Sequence, residues 1–157
     1  MIIELKNKNT LIIDDFKFKC CIGKNGLKLN KKEGDLSTPK GIYNLRTLYY
    51  RKDRNPIPNN NLKTKIIKKN MGWCDDPKSK FYNKEIKINN NIKCEKLFRN
   101  DYKYNYLIVI EYNRKKIIPN KGSAIFIHLT EDYKPTAGCI ALKKKDFLVL
   151  IKILNKN

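Results

Sequence analysis

Residues 122–142 read GSAIFIHLTEDYKPTAGCIAL. Within SAIFIHL at 123–129, alternation puts Ala124, Phe126 and His128 on one face and Ile125, Ile127 and Leu129 on the other. A period of two carried by β-branched and aromatic side chains predicts a strand. A polar loop with Pro135 and Gly138 follows, and the apolar run CIAL opens at Cys139. A strand, a loop and a second strand can return the chain so that residues 128 and 139 meet.

The same period recurs outward from this stretch. YLIVIEY at 106–112 is another strand, joined to it by the connection NRKKIIPNKG. FKFKCCI at 16–22 places Phe16, Phe18, Cys20 and Ile22 on one face, with Lys17 and Lys19 facing away; Asn25-Gly26 then predicts a hairpin turn before LKL at 27–29. GIYNLRTLYY at 41–50 is a further strand, and RKDRNPIPNNN at 51–61 a loop. NMGWCDDPKSKFYNKE at 70–85 also reads as a loop, either pinned to the surface by Trp73 and Tyr82 or contacting a substrate. At the C-terminus the period changes: Phe147, Leu150, Ile151 and Leu154 fall at i, i+3, i+4 and i+7, so KKDFLVLIKIL predicts an amphipathic helix. No Pro/Gly/Ser linker or internal repeat divides the 157 residues, and the expectation is one mainly β domain with at least one packed helix near its C-terminus.

Lysine and arginine number 35 against 15 acids, a formal charge of +20. Of these, 30 are lysine and only 5 arginine, and the arginines form no run. Nucleic-acid readers rely on the arginine fork for phosphates and guanine edges, so specific nucleic-acid binding is not expected. A neutral lysine surface comes first, with an anionic wall polymer or membrane second. The five cysteines, Cys20, Cys21, Cys74, Cys94 and Cys139, are odd in number, irregularly spaced and without a CxxC pair. They predict neither a disulfide framework nor, with a single histidine, a zinc site. The N-terminal MIIELKNKNT lacks the sustained apolar stretch of a secretory signal, and no 18 apolar residues run together for a membrane span, so the expectation is either the cytoplasm or export by an unconventional or removed signal.

His128 and Cys139 are the candidates for chemistry. A thiol and an imidazole within hydrogen-bond reach suffice for nucleophilic acyl transfer, because the base removes the sulfur proton and the imidazolium protonates a leaving amine. Gly138 puts bare backbone beside the sulfur, and its N–H or that of Cys139 could donate to an oxyanion. If the pair meets, the thiol is expected to ionise below its ordinary value. Taken separately, a lone strand histidine and a small buried cysteine are more often structural.

His128 followed by Thr136-Ala137-Gly138-Cys139-Ile140 resembles the central signature of the L,D-transpeptidase catalytic domain family, the YkuD-like domains of bacterial cell-wall enzymes. EGDLSTPKGIYNL at 33–45, GWCDDP at 72–77, IEYN at 110–113 and GSAIFIHL at 122–129 are similar to further stretches of that family, and the likeness runs from about residue 16 to 154. The resemblance implies a mixed β-sandwich in which Cys139 attacks a peptide carbonyl of a peptidoglycan stem and His128 is the base. The bond opened lies between the L centre of a diamino acid and a terminal D-amino acid. An amine acceptor gives transpeptidation, and water gives carboxypeptidase- or amidase-like hydrolysis.

Thr136, Trp73 and Asp75 are the implied substrate contacts, and no metal or organic cofactor is implied. The partners would be stem peptides or muropeptides, with anionic envelope polymers as a further possibility and the cell envelope as the implied location. Two positions depart from the family. Ala137 stands where many members carry a second histidine, and Ala141 where many carry a polar or basic residue that grips the substrate carboxylate. A non-catalytic domain binding wall fragments or nucleic acid is the alternative of a different class.

Overall fold

The computed structural model describes residues 3–89 and 91–154. The strands are β1 (Ile3–Asn7), β2 (Thr10–Ile13), β3 (Phe16–Cys21), β4 (Leu27–Lys28), β5 (Thr38–Pro39), β6 (Leu45–Tyr50) and β7 (Lys63–Ile66), continuing with β8 (Met71–Cys74), β9 (Glu85–Lys87), β10 (Cys94–Lys96), β11 (Tyr106–Ile110), β12 (Phe126–Leu129) and β13 (Ile140–Leu142). The helix α1 (Lys144–Leu154) closes the chain. An eight-stranded sheet in the order β1-β2-β3-β13-β12-β11-β6-β7 carries most of the fold, beside a three-stranded sheet β10-β8-β9 and the small pair β4-β5.

Alternation along the central strands builds two cores. Tyr106, Ile108, Ile127 and Leu129 point to one face, where Phe147, Leu150 and Ile151 of α1 cover them. Leu107, Val109, Phe126 and Cys139 belong to the other face, which Trp73 of β8 and Leu97 cover. The molecule is therefore a mixed β sandwich with a helix on its outer face, as expected. Helix α1 begins and ends where the apolar period does, and Asp146 in its first turn and Lys152 in its last complement the helix dipole.

Two local expectations are corrected. Asn25-Gly26 does make a tight turn, with Gly26 at φ 75° and its N–H on the Gly23 carbonyl at 2.9 Å. The strand it opens does not fold back on β3: β4 runs parallel to β5, because residues 23–26 hydrogen-bond to the 36–38 segment. The second correction concerns 70–85. Met71–Cys74 is the middle strand of the smaller sheet, with Trp73 and Tyr82 at 1% and 2% exposure. A four-residue strand containing a glycine, bounded by Asn and Asp, offers too short a pattern to stand out from a loop.

Candidate active site

β12 and β13 are adjacent and parallel, with Ile127 opposite Ile140 and His128 opposite Ala141. Cys139, one step before β13, is thereby level with Phe126, two residues from the histidine along the same face. The sulfur is held by backbone. Phe126 N–H donates to it at 3.3 Å, and its own S–H donates to the Ala124 carbonyl at 3.3 Å. Ala124 sits at φ 52°, a left-handed conformation rare for a residue with a Cβ, which turns that carbonyl towards the thiol.

The imidazole is oriented separately. Nδ1 of His128 lies 2.9 Å from the carbonyl oxygen of Leu129, and a carbonyl only accepts, so Nδ1 carries the proton and Nε2 is the basic nitrogen. The orienting carbonyl, which sequence could not single out, is thus the one next to the histidine itself. The Tyr104 ring stands edge-on to the imidazole, centroids 5.4 Å apart, and edge-on to Phe126 at 5.9 Å. Tyr104 hydroxyl donates to Glu95, fixing the ring from behind.

Burial sets the resting protonation of both groups. It pushes the Cys139 thiol up to about 12, with the Glu95 carboxylate adding to the rise; the Phe126 N–H and Lys31 oppose it. It also drives His128 down to about 4, against the Leu129 hydrogen bond. At neutral pH the thiol and the imidazole are both neutral, and the expectation of an acidified thiol is corrected. No hydrogen bond joins Cys139 to His128 among the described residues. The sulfur is bonded to Phe126 and Ala124 instead.

Both groups line one cavity of about 780 Å³, together with Thr136, Gly138 and Asp75. Its wall alternates in sign, with Lys31, Lys93, Arg99, Lys103 and Lys134 among Glu33, Asp75, Glu95 and Asp132. Another concavity of about 890 Å³, around Phe98 and Asp101, holds neither histidine nor cysteine. Among the described residues no three His, Cys, Asp or Glu side chains gather as a metal site.

The remaining sequence candidates take different places. Thr136 braces the nucleophile loop: its hydroxyl donates to the Cys139 carbonyl at 2.6 Å and accepts from Gly138 N–H at 3.1 Å. Gly138 N–H is therefore already engaged. Gly138 has φ 145°, and a Cβ there would stand 2.8 Å from the Ser37 carbonyl oxygen, so only glycine fits. Asp75 lines the cavity with a buried Oδ1 that has no hydrogen-bond partner; burial raises its carboxyl, and Glu33 adds to that while Lys93 opposes it. Trp73, the third implied substrate contact, is not among the residues that line the cavity and is 1% exposed. Its indole packs edge-on against Phe126 at 5.1 Å, with Nε1 donating to Asn83 at 2.9 Å.

Sequence reading missed Lys31, Tyr104 and Glu95. Lys31 is 3% exposed and pairs with Asp35 at 2.6 Å. Burial alone would raise the Asp35 carboxyl, but hydrogen bonds from Lys31, the Lys32 N–H and Ser37 hold it well below the carboxylate range. One lysine among 30 carries no signal of its burial. Residues 2–157 match the family model YkuD, the L,D-transpeptidase catalytic domain. The chain belongs to this family. No curated protein and no solved structure gave a significant match. As a member of the L,D-transpeptidase catalytic domain family, the chain is an enzyme of cysteine-based acyl transfer on peptidoglycan. Among the described residues, no helix is long and apolar enough to cross a membrane.

Proposed function

We propose that Cys139 is the nucleophile and His128 the base, acting on the carbonyl between the L centre of a stem-peptide diamino acid and its terminal D-residue. The observation that carries this reading is the Nδ1 hydrogen bond to Leu129, which leaves Nε2 of a neutral imidazole as the basic nitrogen of a histidine that lines the same cavity as the sulfur. In the forward step the S–H proton leaves the Ala124 carbonyl for Nε2 and the sulfur bonds to the peptide carbon. The C–N bond then breaks, and the amine departs with the proton from the imidazolium, leaving a thioester. An amine acceptor, or water, reverses the proton traffic and frees the thiol. With Gly138 N–H bonded to Thr136, the Cys139 N–H is the donor left beside the sulfur for the oxyanion.

Ala141 cannot grip a carboxylate, and the cation that supports this role is Lys103. It lines the cavity close enough to His128 to oppose protonation of the imidazole, and it makes no ion pair among the described residues. The charge of +20 also suits contact with anionic envelope polymers.

Intact-mass analysis after incubation with defined muropeptides tests the reading. Wild type should form an acyl adduct on Cys139, Cys139→Ala none, and folded His128→Ala should acylate about 10²–10⁴-fold more slowly. Lys103→Met should raise KM with little change in kcat. Native acylation in both Cys139→Ala and His128→Ala would sink the assignment. Product analysis with and without an added amine separates transpeptidation from hydrolysis.

A further inference from the structure

Four of the five cysteines take no part in the acyl transfer proposed above, and two of them face each other. In the antiparallel pairing of β8 with β10, Cys74 is directly opposite Cys94. The hydrogen bonding around them fixes the kind of pair. Cys74 N–H donates to the Lys84 carbonyl at 2.9 Å and its own carbonyl accepts from Asn83 N–H at 2.8 Å, so both backbone groups point away from β10. Leu97 N–H donates to the Met71 carbonyl at 3.0 Å, which makes 71/97 a bonded pair; counting along the ladder, 74/94 is again non-hydrogen-bonded. Such pairs bring Cα atoms to about 4.5 Å with side chains on the same face, inside the span of about 4.4–6.8 Å that a disulfide bridges.

The Cys94 sulfur lies 2.8 Å from where a Gly72 Cβ would stand, so it is the absence of a side chain two residues before Cys74 that leaves this sulfur its place on the strand pair. Both thiols are free; Cys74 is fully buried, whereas Cys94 is partly exposed. Their chain neighbours Asp75, Lys93 and Glu95 all line the cavity of the candidate active site.

We propose that Cys74 and Cys94 are a redox modification site, closing a reversible cross-strand disulfide that ties β8 to β10 at the cavity wall. The co-reactant is a small-molecule disulfide such as oxidised glutathione. The partly exposed Cys94 thiolate attacks one of its sulfurs and expels the first thiolate. The Cys74 thiolate then attacks the Cys94 sulfur of the mixed disulfide and expels the second. The two protein thiols lose two electrons and two protons, and the oxidant is recovered as two thiols. Burial pushes the Cys94 thiol up, with Asp75 adding to the rise, so exchange quickens as pH rises. The closed bond constrains the 74–94 segment, which includes Asp75 and Lys93, and stabilises the folded state mainly by restricting the unfolded one. This inference stands independently of the roles of Cys139 and His128.

The test uses the full chain carrying Cys139→Ala, which removes the thiol proposed as nucleophile. After reduction and treatment with oxidised glutathione at mildly alkaline pH, the mass should fall by two hydrogens. Proteolytic mapping should find one linked peptide joining positions 74 and 94, Tm should rise by several degrees, and a reductant should reverse all three. Adding Cys94→Ser should abolish the link and the Tm shift. An unresolved glutathione adduct, a link between Cys20 and Cys21 instead, or unchanged mass would each overturn the proposal, and all three are read on a protein that still holds both cysteines.

Discussion

The Thr38 hydroxyl donates to the carbonyl of Gly138 at 2.8 Å and accepts the N–H of Gly23 at 2.9 Å, so one side chain ties the nucleophile loop to a segment 100 positions earlier in the sequence. Both partners are buried, and Thr38 itself is 2% exposed. Thr38→Val keeps the volume and removes both bonds. It should cost about 1–3 kcal/mol in urea unfolding, the range for leaving buried polar groups unpaired, and should slow acylation. Thr38→Ser should restore most of both. A stable, fully active Thr38→Val protein would contradict this role for the hydroxyl.

Gly138→Ala meets a different obstacle. The added Cβ would press on the Ser37 carbonyl, and the backbone at φ 145° is one that alanine rarely adopts. Strain of about 1–3 kcal/mol is expected, with the loop displaced at the residue before the sulfur. Acylation should fall more than the loss of folded protein explains, as single-turnover rates normalised to folded fraction would reveal.

The protonation of the pair gives two pH limbs, one acidic and one alkaline, and both rise with pH. His128 is held neutral down to about 4, so acylation should fall only near pH 4, not between 6 and 7. The thiol, pushed up to about 12, should alkylate slowly at neutral pH and faster throughout the alkaline range. Measuring acylation and iodoacetamide reactivity against pH checks both; a thiol titrating below 8 would contradict the neutral pair.

Stability follows from the same histidine. Its folded value lies below the unfolded value of about 6.5, so the unfolded chain binds the proton first as pH falls. The contribution is fully present above about pH 6.5, declines from there and levels off near pH 4, with a total on the order of 3 kcal/mol. His128→Phe should flatten that part of the urea-midpoint profile.

Trp73→Phe should separate packing from contact with substrate. It removes the Nε1 hydrogen bond to Asn83, whose Oδ1 also accepts the Ala124 N–H at 3.2 Å. A loss of about 1–3 kcal/mol is expected, with KM for a muropeptide unchanged. A raised KM at unchanged stability would return the indole to the substrate.

Much was legible in the sequence because it depends on neighbours along the chain. Alternation settled which side of the strand His128 shares with Phe126, although the strand expected over 123–129 covers only Phe126–Leu129 because Ala124 turns left-handed, and the 3.6 period of 144–154 settled the helix; both follow from backbone geometry alone. The ordered motifs around His128 and Cys139 marked the family for the same reason: each is a short local pattern. Tertiary structure alone decided the protonation of the pair, the Leu129 carbonyl as the histidine's partner, and the burial of Lys31, Tyr104 and Trp73. It also decided that Thr38 reaches Gly138 and that Cys74 faces Cys94. Desolvation depends on which atoms from distant segments displace water, and strand register depends on which partner strand is chosen. Neither quantity is a function of a residue's immediate neighbours in sequence.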